Sequence, residues 1–213
     1  PADLTDIVNR AFATNAPIAK VATHVASWSD NRRLLDLLTR SNPKPLIVVG
    51  MGDIGQMTRI VGPSRGSFLT YAASTRQAAP GQLTVPEMLD TYKFRRIQRS
   101  TPLLGILGNP VGHSFSPVLH NRAFEMAGLD FAYVKLPAPD LKDFMENARA
   151  VGLAGFSVTI PHKVAIVPYM SQVMEAAATV GAVNTGSEED GIWRGDNTDE
   201  RGVEGALQSR GVQ

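Results

Sequence analysis

Within this 213-residue chain, a few lysines, serines and carboxylates stand where residue type and spacing could support chemistry. Lys20 interrupts an apolar run, and strand alternation sets Ile18, Lys20, Ala22 and His24 on one face and Ala19, Val21 and Thr23 on the other. Desolvation on an apolar face disfavours the ammonium, and the neutral amine can attack a ketone to form a Schiff base. The plainer alternative is a strand-end lysine that reaches back to water. Further on, the run GNPVGHSFSP (108–117) passes from a strand end into a helix with proline in its first turn. Ser116 is there the natural N-cap, and Ser114 could join it in presenting hydroxyls to a carboxylate at the helix N-terminus. Lys163 closes the run GFSVTIPHK and Asp199 closes GDNTD. Meeting in a cleft they would share a proton as an acid-base pair, and otherwise they form a salt bridge or a helix cap.

These residues need an alternating α/β framework, and the hydrophobic pattern supplies one. Helical spacing of Leu4, Ile7, Val8, Ala11 and Phe12 opens the chain. Strands are expected at Ile18 to Val25, Pro45 to Val49 and Ser67 to Tyr71, with helices at Asp30 to Arg40, Asp53 to Ile60 and Val85 to Tyr92. The charged run KFRRIQRSTP (93–102) reads as a linker. Behind it, strands are expected at Leu103 to Leu107, Phe131 to Leu136, Gly155 to Val158 and Ile192 to Arg194. Helices are expected at Pro117 to Ala127, Asp140 to Val151, Gln172 to Val180 and from Asp199 to the end.

Composition narrows the function classes. Hydrophobic residues make up 43% and charged residues 19%, ordinary globular usage that excludes a disordered chain. A formal net charge of +1 is too balanced for nucleic acid or an anionic membrane as main partner, so a small ligand is expected. Without cysteine there is no disulfide framework, zinc ribbon or thiol nucleophile; no metal site is expected, and the cytoplasm is the expected compartment. No apolar run approaches the roughly 18 residues of a membrane span, and the opening Pro1-Ala2-Asp3-Leu4 lacks a secretory pattern. A chain that starts in mid-pattern without methionine is expected to be a slice of a longer protein. Gly50-Met51-Gly52-Asp53-Ile54-Gly55 has the spacing of a dinucleotide turn. That reading fails, because the next acid after Asp53 is Glu87, too far on to hold a ribose. Arg59, whose planar fork suits a carboxylate, and Gln82, in a loop before a helix, are further candidates that could equally be solvated surface residues.

Taken together, AKVA around Lys20, VGMGDIGQMTRIVGPSRGSFLTYA (49–72) and AAPGQ (78–82) resemble the C-terminal part of type I 3-dehydroquinate dehydratases. The resemblance implies that Lys20 forms an imine with the ketone of 3-dehydroquinate while Arg59 and Gln82 hold its carboxylate and hydroxyls. It also implies that residues 1–92 carry the last three strands of a (β/α)8 barrel. Two departures stand out: Ala78 replaces the usual serine, and residues 1–19 contain no histidine to serve as the upstream general base. The runs GNPVGHSFSP, GFSVTIPHK, GAVNT and GDNTD, in this order, resemble the substrate domain of shikimate dehydrogenases. That resemblance implies an α/β substrate-binding domain over 103–213. It places Ser114 and Ser116 on the shikimate carboxylate, Thr159 and Asn184 on ring hydroxyls, and Lys163 with Asp199 as the catalytic pair reducing 3-dehydroshikimate. The family uses NADP on a later Rossmann domain, expected to be missing from this chain. The succession of both is similar to bifunctional dehydroquinate dehydratase/shikimate dehydrogenases, shikimate-pathway enzymes of aromatic amino-acid biosynthesis. The expectation is an enzyme fragment inactive by itself, its open sheet edges pairing with another copy. The alternative is a non-catalytic shikimate-binding or regulatory module.

Overall fold

The computed structural model describes residues 3–75 and 78–211. The first helix, α1 (Leu4–Phe12), starts at an Asp3 cap whose carboxylate accepts from the Thr5 N–H. A parallel βαβ unit follows: β1 (Ala19–His24), α2 (Trp28–Thr39) and β2 (Leu46–Met51), with Lys20 opposite Ile47. The run Leu-Ile-Val-Val explains why β2 is buried on both faces, whereas β1 alternates buried and open positions. Helix α3 (Gln56–Arg65) then packs on β2 and α2.

The third strand expected at Ser67 to Tyr71 does not form, so the first sheet has two strands rather than three. The Ser67 hydroxyl takes the Val48 N–H at 3.1 Å, using a donor that a neighbouring strand carbonyl would otherwise accept. Only the Phe68 N–H continues the ladder, to Leu46 O, before the chain leaves and makes a single bridge from Ala73 to Thr84. The helix expected at Val85 to Tyr92 is mostly a π-helical turn, Glu87–Thr91. The charged connection is clamped rather than loose. Lys93 and Arg96 reach Glu125 at 3.0 and 3.9 Å, and the Thr101 hydroxyl donates to Asp130 at 2.8 Å.

The second sheet has the order β4-β3-β5-β7-β8-β6. Its strands are β3 (Leu103–Gly108), β4 (Ala132–Pro137), β5 (Leu153–Val158), β6 (Gln172–Val173), β7 (Thr185–Glu189) and β8 (Ile192–Asp196). β3, β4 and β5 run parallel, β7 runs antiparallel to β5 and β8, and β6 is parallel to β8. The helices are α4 (Ser116–Ala127), α5 (Leu141–Asn147), α6 (His162–Ala165), α7 (Glu175–Val180) and α8 (Asp199–Gln208). Two expectations change here. Gln172 and Val173 are extended and pair with Arg194 and Gly195, so the helix starts only at Glu175. Strand β7 was not expected, because Thr-Gly-Ser-Glu-Glu shows no apolar alternation. α8 ends at Gln208, and Val212 and Gln213 lie outside the described residues.

One apolar core joins both regions: Trp28, Leu34 and Met57 belong to the same cluster as Leu136, Phe144 and Phe156. Trp28, 1% exposed, is the pin. Its indole N–H donates to Pro137 O at 2.9 Å and its ring meets Phe144 edge-on at 5.1 Å. The Asp143 carboxylate accepts from the N–H groups of Trp28 (2.5 Å) and Ser29 (3.2 Å), adding to the Ser27 cap at the start of α2. Among the described residues no helix is long and apolar enough to cross a membrane.

Candidate active site

Parallel strands deliver their following loops to one end of a sheet, where α/β proteins place ligands. At that end of β3 and β5 lie the loops 109–115 and 159–163, tied together by Asn109 N–H to Ile160 O at 3.0 Å. Between them opens a cleft of about 560 Å³ whose wall includes Asn109, His113, Ser114, Phe115, Thr159 and Ile160. The Thr159 backbone is held by Leu107 O at 2.8 Å, and its hydroxyl makes no hydrogen bond among the described residues.

Ser116 is not the N-cap. Phe115 occupies that position without a side-chain cap, and Ser116 already belongs to α4. The Ser114 oxygen lies 3.1 Å from the Ser116 hydroxyl and accepts the Ser116 N–H at 3.2 Å. The two hydroxyls are therefore adjacent at the entry to α4, where the unpaired N–H groups favour an anion. Under the cleft, Tyr133 donates to the Ser157 hydroxyl at 2.9 Å and stacks on His120 at 4.1 Å, with its pKa raised mainly by burial. Alternation along β4 sets Tyr133 on the face of Lys135 rather than with the apolar Ala132, Val134 and Leu136, so neither its burial nor its partner His120 was legible in the sequence.

Lys163 and Asp199 do meet: Nζ lies 2.5 Å from Oδ2, although 36 residues separate them. Asn184 donates to the other carboxylate oxygen at 2.8 Å and to Thr198 Oγ1 at 3.0 Å. Its carbonyl oxygen accepts from the Thr185 hydroxyl at 2.8 Å and the Thr198 N–H at 3.1 Å. The hydrogen bonds from Lys163 and then Asn184 hold the Asp199 carboxyl below its ordinary range. Asn197, unremarked in the sequence, accepts the Asp199 N–H at 2.9 Å and donates to Ala182 O at 2.9 Å. His162 is likewise an anchor, its buried ring 2.7 Å from Ala138 O.

The first region is arranged differently. Lys20 is exposed, and its ammonium lies 4.3 Å from the Tyr71 ring centre. The apolar enclosure expected around it is absent, because Ala22 and His24 on the same face of β1 are exposed too. Gln82 Oε1 accepts the Ala78 N–H at 2.9 Å, closing its own loop. Arg59 is 3% exposed with no ion-pair partner among the described residues, its Nε lacks a hydrogen bond, and burial lowers its pKa. The Gly50–Gly55 turn does not fit a dinucleotide. Its Gly50 and Gly52 N–H groups are taken by Thr58 Oγ1 (2.7 Å) and Pro80 O (3.1 Å), and a Cβ on Gly81 would stand 2.2 Å from Gly52 O.

The sequence comparisons match two stretches of the chain. Residues 1–99 match the type I 3-dehydroquinase family, and residues 106–185 match the shikimate dehydrogenase substrate binding domain. Both resemblances read from the motifs therefore stand, as does the mixed α/β class. Among individual relatives, a chloroplastic bifunctional 3-dehydroquinate dehydratase/shikimate dehydrogenase of Arabidopsis thaliana is 38% identical over 217 residues. That match covers 98% of this chain and 36% of the relative, so the chain spans about a third of that protein's length. A shikimate dehydrogenase (NADP(+)) of Geobacter sp. (strain M21) is 50% identical over 116 residues, 54% of this chain and 40% of the relative. The crystal structure of a Listeria monocytogenes shikimate 5-dehydrogenase in complex with shikimate and NAD superposes with a TM-score of 0.52 at 40% identity, covering 55% of this chain and 42% of that one.

Proposed function

We propose that residues 103–213 form the substrate-binding domain of an NADP-dependent shikimate dehydrogenase, with residues 1–92 the C-terminal portion of a type I dehydroquinate dehydratase and 93–102 their link. The observation that carries this reading is the Lys163–Asp199 pair at 2.5 Å, with Asn184 on the free carboxylate oxygen, reached from the same turn as Thr159. Reduction of the ketone of 3-dehydroshikimate builds negative charge on oxygen. The Lys163 ammonium stabilises it and delivers the proton, and Asp199 orients the lysine and exchanges protons with it. Ser114 and Ser116 hold the carboxylate, and Thr159, with its free hydroxyl, takes a ring hydroxyl. Asn184 reaches the substrate only by releasing one internal bond, so positioning Asp199 is its larger role. The glycine turn offers no seat for NADP, whose nicotinamide supplies the hydride in the whole enzyme; the residues described here serve substrate and proton. In the first region Lys20 is the Schiff-base lysine for 3-dehydroquinate, with Arg59 as its carboxylate clamp and Gln82 on hydroxyls. Standing on an open sheet face, Lys20 gives no dehydration in this chain by itself. The β1 edge carries unpaired ladder groups, so the chain associates with a second copy. A chain without cysteine is compatible with a reducing compartment, and the cytoplasm is the compartment assigned in this reading.

Calorimetric titration of the chain with shikimate tests the substrate assignment. Binding is expected, weakened by roughly tenfold in Ser114→Ala through the loss of one hydrogen bond to a charged group. A folded chain that ignores shikimate overturns it. Light scattering tests association, and a monodisperse monomer at tens of micromolar, a concentration at which exposed edges should pair, counts against it.

A further inference from the structure

The opposite end of the second sheet, where β3 and β5 begin, carries a different concentration of charge. Arg65 from the last turn of α3, Arg99 from the connection and Arg149 after α5 line one cleft of about 430 Å³ together with Ser100, Thr101, Gly152 and Glu188. Among the described residues Glu188 is the one carboxylate on that lining, and it stands 3.9 Å from Arg149 Nε. Arg65 and Arg99 have no ion-pair partner among the described residues, which leaves the cleft with a formal surplus of two positive charges.

The cluster is built rather than accidental at its core. Gly152 has φ +85°, and a Cβ there would stand 2.7 Å from Arg65 Nη2, so the missing side chain leaves room for a guanidinium from the other region. Arg149 is held over the Trp193 ring at 5.5 Å. Arg65 is half-buried while Arg99 and Arg149 are exposed, and burial, then the Arg99 charge, lower the pKa of Arg65. Such an arrangement is relieved by an anion that accepts from two guanidinium forks at once.

We propose that this cleft binds a small doubly charged oxyanion, a phosphate or a dicarboxylate, at the seam between the two regions and away from the Ser114 cleft. Its occupant draws α3, the connection and the α5–β5 turn together, so binding stabilises the docked arrangement by linkage.

Thermal unfolding of the 213-residue chain, followed against sodium phosphate in one arm and sodium succinate in the other at constant ionic strength, tests this. A saturable rise in Tm in either arm is expected, and the arm that saturates at lower concentration names the chemistry. Arg99→Gln, on an exposed segment that tolerates substitution, should weaken the apparent affinity by roughly tenfold or more, and Arg65→Gln likewise. Arg32→Gln, an exposed arginine elsewhere, should not. The proposal is overturned if neither anion shifts Tm beyond matched chloride, or if Arg99→Gln and Arg32→Gln respond like the unmodified chain. Should Arg65→Gln fail to fold, Arg99→Gln alone decides.

Discussion

Lys20 and Lys163 are both lysines that the sequence set beside chemistry, yet the fold treats them oppositely. Lys20 is exposed on a two-stranded sheet with an aromatic ring as its neighbour, while Lys163 is locked to Asp199 and, through it, to Asn184, Thr198 and Asn197. The difference lies in closure. Among the described residues the second sheet has six strands, and the loops after β3 and β5 are tied together at one end of it, whereas the first has two strands and one open face. A polar network needs several elements to satisfy its members, and an apolar pocket needs them to exclude water. A reactive side chain is defined by the elements around it as much as by its own strand.

The sharpest way to break this contrast is kinetic. In a polypeptide that also carries a nicotinamide-binding domain, Lys163→Ala should lower kcat for 3-dehydroshikimate by roughly 10² to 10⁴-fold with a smaller change in KM. Near-normal kcat would reduce the pair to a salt bridge. Next in size is the seam. Trp28→Ala removes a fully buried indole and its bond to Pro137, and should cost about 3–5 kcal/mol in denaturant unfolding. A loss under about 1 kcal/mol, the level of a surface change, would mean the two regions are stable independently.

Asn184→Ala leaves partners of a buried amide unpaired and should cost about 1–3 kcal/mol. A neutral result in the same unfolding assay would mean that water replaces the amide. A smaller effect follows from the Asp199 carboxyl, whose pKa is lowered in the folded protein. Its contribution is fully present above the unfolded value of 3.8 and is lost as pH falls through the lower folded value. Because the side chain is 55% exposed, the contribution is on the order of 1 kcal/mol or less, and Asp199→Asn should flatten the acid limb of stability by that amount. An unchanged acid limb would remove the carboxyl from the balance. The smallest effect belongs to Lys20→Ala, expected within about 0.5 kcal/mol of the parent stability. A loss above about 1 kcal/mol would show that Lys20 has a packing role its exposure hides.

Most elements were legible because their patterns are local. The apolar run of β2, the alternation of β1 and the proline entering α4 each decide a conformation within a few residues. Strand β7 was missed although Asp190-Gly191 follows it, a pair with φ values of 52° and 82° that matches a tight hairpin turn into β8. The false strand at Ser67 to Tyr71 had the right composition, but the Ser67 hydroxyl satisfied β2 in place of a backbone carbonyl.

The residue chemistry available to this protein was determined by its sequence alone: residue type and position singled out Ser114, Ser116, Lys163 and Asp199, the resemblance to shikimate dehydrogenases implied Thr159 and Asn184, and the balanced composition pointed to a small ligand. Tertiary structure alone decided which of those residues meet. It joined Lys163 to Asp199, left Lys20 open, seated Asp143 at the start of α2 and gathered three arginines at the seam. The physical reason is range: backbone propensity and alternation act over a few residues, whereas desolvation and ion pairing depend on chain segments tens to more than a hundred residues apart.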